Sequence, residues 1–136
     1  IVGLGGACKA AAAAAESLGM EVIRMNRTIR DERTKPLSDF RECFREADII
    51  IYNIPTAIPE LYKLTDEDFG AGRPKYILEA NYRKPSFDEM LLQKMKTANP
   101  MAEYTSGKIW LLYQAVTGYE IFTGEKPDLR KMSDVL

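Results

Sequence analysis

The sequence predicts an α/β fold in three layers, with a mainly parallel, doubly wound sheet between flanking helices. Three observations carry that prediction. A glycine-rich turn, Gly3-Leu4-Gly5-Gly6, joins the apolar start Ile1-Val2 to an alanine-rich segment. The run Ile49-Ile50-Ile51, inside Asp48–Asn53, is the continuous apolar stretch of a strand covered on both faces. Strand-like and helix-like segments then alternate along the chain, the pattern of βαβ units. With its glycine turn between the first strand and the first helix, the fold is of the Rossmann type.

Each element follows from local chemistry. Ile1–Val2 begins a buried strand. Ala7–Leu18 is made of strong helix formers, and Gly19 stands where a left-handed glycine ends a helix. Glu21–Met25 is the second strand. The polar stretch Arg27–Pro36 reads as loop or irregular helix. Ser38 suits the cap of a short helix over Asp39–Ala47, and Asp48–Asn53 follows as the clearest strand. Pro55 and Pro59 break the chain, and Leu64–Arg73 is a turn-rich connector with a short helical piece. Tyr76–Glu79 is the fourth strand, Ser86 caps a helix over Phe87–Met95, and Met101–Tyr104 is a short fifth strand. Ser106–Phe122 is a long helix that ends at Gly124, and Asp128–Leu136 reads as a further helix.

Composition narrows the function. The 136 residues make one domain. With 46% hydrophobic and 29% charged residues, the balance is that of a globular protein with one core. A net charge of −1 gives no electrostatic case for nucleic acid or a membrane surface. No apolar run approaches the roughly 20 residues of a membrane helix. Cys8 and Cys43 lie far apart without metal-ligand spacing, which suits a reducing, cytoplasmic setting. The absence of histidine excludes a histidine base or imidazole–metal chemistry within these residues, and no metal site is expected. The chain opens already inside the strand that feeds the glycine turn, so a piece of a longer protein is expected.

Two segments carry the binding chemistry. In the turn, Gly3 allows a tight bend, and Gly5 and Gly6 let the backbone approach a pyrophosphate. A small residue, Cys8, lets the helix lie against the sheet. The helix that starts at Ala7 then points free N–H groups at the phosphates. At the end of the second strand stand Asn26, Arg27 and Thr28. An NAD-preferring site places an acid there to hold the ribose 2′-OH. An arginine instead suits a 2′-phosphate, because its planar fork matches that oxyanion. Arg24, Arg30, Arg33 and Lys35 add positive charge nearby, and Asp31 and Glu32 offset part of it. NADP is therefore the expected cofactor.

Four pieces in order resemble the C-terminal NADP-binding domain of shikimate dehydrogenases, over nearly the whole chain. Gly3-Leu4-Gly5-Gly6-Ala7-Cys8-Lys9 resembles the family's G-x-G-G-A turn with its small and basic followers. Asn26-Arg27-Thr28 matches its N-R-T. Asp48–Asn53 resembles its D-[LIV]-[LIV]-[LIV]-N-[AT] strand, with Tyr52 as an extra residue or a substitution. Leu111-Leu112-Tyr113-Gln114-Ala115 and Tyr119–Gly124 resemble M-L-V-x-Q-A and F-E-L-W-T-G.

The resemblance implies that Gly5, Gly6 and Ala7 face the pyrophosphate and that Asn26, Arg27 and Thr28 hold the 2′-phosphate end. It implies that Asn53 lies near the cofactor at a strand tip, and that Tyr82 and Gln114 touch the substrate. It further implies hydride transfer between NADPH and 3-dehydroshikimate or a related cyclic hydroxy acid, in the shikimate pathway of aromatic amino acid biosynthesis. The catalytic lysine and aspartate would come from an N-terminal domain outside this chain, which would share the small-molecule substrate. No catalytic residue is expected within these residues.

The departures gather at the nicotinamide and substrate end. Glu79 replaces the acid of D-[LM]-x-Y, Ile109 stands where the family has a glycine near the nicotinamide, and Trp110 replaces a methionine. Ile54-Pro55-Thr56 follows Asn53 in place of A-T or A-S. Two alternatives stay open: another NADP-dependent dehydrogenase domain, and a non-catalytic nucleotide sensor.

Overall fold

The computed structural model describes residues 1–29 and 31–135. At the centre of its sheet stands Val2, which bridges Met25 on one side and Tyr52 on the other, both in parallel. Val2 N–H donates to the Ile51 carbonyl and Gly3 N–H to the Met25 carbonyl, each at 2.8 Å. Asn53 N–H returns to the Val2 carbonyl at 2.8 Å. Beyond Met25, β1 (Arg24–Asn26) pairs with β2 (Thr34–Pro36). Beyond Tyr52, β3 (Ile49–Tyr52) pairs with β4 (Lys75–Glu79), and β4 with β5 (Ala102–Thr105). Every pairing is parallel. The order across the sheet is β2, β1, Ile1–Val2, β3, β4, β5, which is the dinucleotide-binding order with its reversal beside Val2.

The helices are α1 (Gly6–Ser17), α2 (Phe40–Glu46), α3 (Glu89–Ala98), α4 (Gly107–Thr123) and α5 (Leu129–Ser133). One sheet face presents Ile50, Tyr52 and Ile77 to Phe40 and Phe44 of α2, Leu91 and Met95 of α3, and Phe69. Each such fully buried side chain contributes about 1.5–3 kcal/mol by leaving water. On the other face Ala15 of α1 lines an open groove with Ile49 and Ile51, and α4 packs against β4. The isoleucine run is therefore not covered evenly. Ile50 is buried, Ile51 half-buried and Ile49 37% exposed.

Several boundaries differ from the sequence reading. Ile1–Val2 forms isolated bridges rather than a strand, and the second strand is shorter than Glu21–Met25 and displaced toward its end. The stretch Arg27–Pro36 contains β2, an edge strand short enough to escape a periodicity argument. Its Pro36 is tolerated because one side of the edge has no partner. Arg30 and Leu136 lie outside the described residues. Ser38 does not cap α2: its hydroxyl donates to Asp39 at 2.9 Å, inside a 3-10 turn over Leu37–Asp39. Ser86 does not cap α3 either. Its N–H is taken by the Glu79 carboxylate at 2.5 Å, and Asp88 accepts the Leu91 N–H instead. Phe87 thus belongs to the loop and the core rather than to a helix. The connector Leu64–Arg73 holds one 3-10 turn, Asp66–Phe69, and a second, Pro59–Lys63, precedes it; Asp128 caps a final helix shorter than expected.

Two charges are buried beneath α2. Asp68 accepts from Arg41 at 2.6 Å, Arg45 at 2.8 Å and the Thr65 N–H at 2.7 Å. Burial pushes this carboxyl up, but these donors outweigh it and hold the pKa at about 2. Lys75, 0% exposed, donates its ammonium to the Phe44 and Ala47 carbonyls, each at 2.6 Å, and so caps the C-terminus of α2. Burial lowers its pKa to about 8. No helix among the described residues is long and apolar enough to cross a membrane.

Candidate functional site

In an open α/β sheet a ligand sits beyond the carboxyl ends of the strands, where the strand order reverses. Here that point lies between Gly3 and Asn53, which follow Val2 and Tyr52 on adjacent strands. Gly3 has φ +91°, and a Cβ there would stand 2.9 Å from Ile54 Cγ1. Its glycine is required by the chain's own turn. Gly5 and Gly6 differ. Gly5 has φ −73°, and a Cβ at either would meet nothing within 4 Å. Nothing within the chain demands a glycine at these two positions, so the space they leave open is free for an approaching ligand.

Gly5 is the N-cap of α1 and supplies no side-chain acceptor, and the first turn carries no acidic residue. Gly6 and Ala7 begin the helix, and Cys8 is buried behind them. The positive end of the helix is thus left for an anion. Asn53, at the tip of β3, has neither amide atom hydrogen-bonded among the described residues, although both are shielded from water. An unpaired buried amide at a switch point is a group that a polar ligand can satisfy.

On the other side of Val2, β1 delivers Asn26, Arg27 and Thr28. The Asn26 amide donates to the Thr28 carbonyl at 3.0 Å and folds this end into a tight turn. Arg27 is exposed and forms no hydrogen bond or ion pair among the described residues. By contrast Arg24 is tied to Glu16 at 2.7 Å, and Asp31 is engaged by Thr34 and the Arg33 N–H. Among the described residues Arg27 thus keeps an unpaired guanidinium just past the end of β1.

The remaining candidates lie beyond β4 and β5. Tyr82, 38% exposed, lies on the loop after β4 with the Arg83 guanidinium 5.6 Å from its ring. Ile109 is 43% exposed in the first turn of α4. The close approach that a glycine permits is made two residues earlier. A Cβ on Gly107 would stand 2.4 Å from the Asn81 carbonyl carbon, so the start of α4 is seated on the loop that bears Tyr82. Gln114 is exposed, and its side chain forms no hydrogen bond among the described residues. The structure therefore gathers Gly3, Gly5, Gly6, Ala7, Asn26, Arg27, Thr28 and Asn53 at one edge and sets Tyr82 further along it. It does not join Gln114 to them. Sequence reasoning missed Asn81, because a lone loop asparagine is indistinguishable from a turn former. Among the described residues no cluster of acids and cysteines could hold a metal.

Comparisons with known proteins agree with the fold. The family model for the D-isomer specific 2-hydroxyacid dehydrogenase, NAD binding domain, matches residues 1–105. No curated protein sequence matches the chain. Among solved structures the chain is similar to shikimate 5-dehydrogenase from Thermus thermophilus in complex with shikimate. The identity is 26% and the TM-score 0.69, over 98% of this chain and 50% of that one. It is also similar in fold to quinate dehydrogenase from Corynebacterium glutamicum in complex with NAD. There the identity is 20% and the TM-score 0.68, over 98% of this chain and 52% of that one. The chain spans about half the length of these proteins. The matched family bears a different name from the one the motifs resemble, and α4 with Gln114 lies beyond its match. What the two share is the NAD(P)-binding domain of a dehydrogenase, and by its match the chain belongs to the family of D-isomer specific 2-hydroxyacid dehydrogenase NAD binding domains.

Proposed function

We propose that the chain is the NADP-binding domain of a shikimate 5-dehydrogenase-like oxidoreductase, acting between NADPH and 3-dehydroshikimate or a related cyclic hydroxy acid. The observation that carries the cofactor choice is Arg27, a guanidinium with no partner among the described residues at the end of β1, where an NAD site has an acid. The residues present fit a dinucleotide. Gly5 and Gly6 leave a cradle that a Cβ would fill, the N-terminus of α1 has no side-chain cap, and the Asn53 amide is unsatisfied among the described residues. Gly5, Gly6 and Ala7 would hold the pyrophosphate, Asn26, Arg27 and Thr28 the 2′-phosphate, and Asn53 the inner part of the cofactor. When bound, the nicotinamide supplies the hydride. The domain itself binds and orients. Tyr82 and Gln114 would contact a substrate shared with a companion domain, which would bring the acid–base groups. The substrate class is supported by the four motifs and by the 26% identical relative that binds shikimate.

A second reading is favoured by the family match: an NAD-using domain of the 2-hydroxyacid dehydrogenase type. Calorimetry with both cofactors separates the two. NADP is expected to bind more tightly than NAD to the wild type. Arg27→Ala should cost NADP about 1.5–3 kcal/mol, the range for a charge-assisted contact, and leave NAD little changed. Equal wild-type affinities would overturn the NADP reading.

A further inference from the structure

Beyond Asn53, three segments leave the carboxyl ends of β3, β4 and β5, where they would border the inner end of a bound dinucleotide. The first two are closed on their own strands by buried groups. The Tyr52 hydroxyl donates to the Thr56 carbonyl at 2.8 Å and accepts the Ile58 N–H at 3.2 Å. The Glu79 carboxylate accepts the Ser86 N–H at 2.5 Å and the Tyr104 hydroxyl of β5 at 2.7 Å. These bonds fix the shape of each loop. The Tyr52 ring also meets the Phe87 ring of the β4 loop edge-on at 5.6 Å, and the Ala80 N–H donates to the Tyr52 carbonyl at 2.9 Å, so the loops are joined at their bases.

Asn81 adds a further tie. Its amide nitrogen donates to the Pro55 carbonyl of the β3 loop at 2.9 Å and to the Lys84 carbonyl of its own loop. Its amide oxygen accepts the Lys84 N–H at 3.4 Å. Its backbone forms the seat of Gly107 at the start of α4. Both amide hydrogens are used between these loops, so Asn81 acts through its partners. On one side the partner is Pro55, which follows Asn53 and Ile54 in the chain, and Ile54 lies directly against Gly3. On the other side is Tyr82. Asn26–Thr28 sit across Val2 at the end of β1, and among the described residues no hydrogen bond joins them to this network.

We infer that Asn81 is a positioning residue that sets the width of the nicotinamide end of the cleft, and that it leaves the adenosine end alone. The inference rests on the NADP reading above. Its test uses two probes: NADPH, and 2′,5′-ADP, which carries the 2′-phosphate end and no nicotinamide. Asn81→Asp keeps the shape of the side chain and replaces the donor with an oxygen that faces two carbonyls. Gly107→Ala disturbs the same joint and leaves the Asn81 side chain intact. Thermal melts identify which variants fold, and either one that folds decides the matter.

In calorimetry the Kd for NADPH should rise about fivefold or more, the loss of a neutral hydrogen bond or two. The Kd for 2′,5′-ADP should stay within about twofold of wild type, and the dihydronicotinamide emission of bound NADPH should move toward its free value. An equal loss on both probes would show a merely structural role and overturn the inference, as would no change on either. If the wild type binds neither probe, the dinucleotide reading falls, and this inference with it. If the wild type binds both and the variants show no difference between them, this inference alone fails.

Discussion

Gly3 and Gly5 stand two positions apart, yet different forces hold them as glycine. Gly3 is held by its backbone, with φ +91° and Ile54 pressed against the place of a side chain. Gly5 has an ordinary φ and open space. Gly3→Ala should therefore destabilise the fold by about 1–2 kcal/mol, the usual penalty for a side chain in the left-handed region. Gly5→Ala should leave stability within about 0.5 kcal/mol of wild type. It should instead lower affinity for NADP about tenfold, or 1.4 kcal/mol. Urea melts and cofactor titrations on both variants check the separation. If Gly5→Ala unfolds the protein and spares binding, the glycine is structural and the pyrophosphate assignment is wrong. The same contrast explains why Arg27 is informative and Arg24 is not: Glu16 accounts for the one, and nothing described accounts for the other.

Among the longer helices, α4 is the one this domain covers least. It spans Gly107–Thr123 and buries only Gly107 and Leu112, while Tyr113, Ile121 and Phe122 are 62%, 76% and 91% exposed. An apolar helix left open in this way drives association. The double substitution Ile121→Lys/Phe122→Lys should reduce self-association of the chain in sedimentation velocity and change its stability by no more than about 0.5 kcal/mol. A chain that is monomeric before the change would contradict this. The elements also show what a sequence makes legible. The glycine turn with α1, the apolar run of β3, and α4 closed by Gly124 announce themselves through period, composition and punctuation. β2 escapes, because three residues ending in Pro36 carry no period. The start of α3 is misplaced because Ser86 and Asp88 are both good caps, and only the reach of Glu79 to the Ser86 N–H decides between them. The candidate site divides in the same way. Its β1 and glycine-turn half lies in short local motifs, whereas the Asn81 joint depends on Pro55 and Gly107, which only the fold brings near.

At the scale of the whole molecule, the covered side of the sheet is tied together by two buried charges of opposite sign. Asp68 binds α2 to the connector. Its folded pKa of about 2 lies below its ordinary 3.8, so its contribution is complete above about pH 4 and is lost as the pH falls through about 2. Asp68→Asn should cost about 1–3 kcal/mol at pH 7, and the gap between wild type and variant in urea melts should close between about pH 4 and 2. A gap that stays constant across that range would mean that Arg41 and Arg45 do not act through the carboxylate charge. Lys75 presents the opposite case. With a pKa of about 8 its amine is half neutral at a pH where ordinary lysines are almost wholly protonated, yet none of it is exposed. Burial causes both that neutrality and its shelter from any acylating reagent, so the two end together when the amine meets water. Its modification has to wait for α2 to lift from the sheet, and the rate at which it is labelled becomes a clock for the opening of the core.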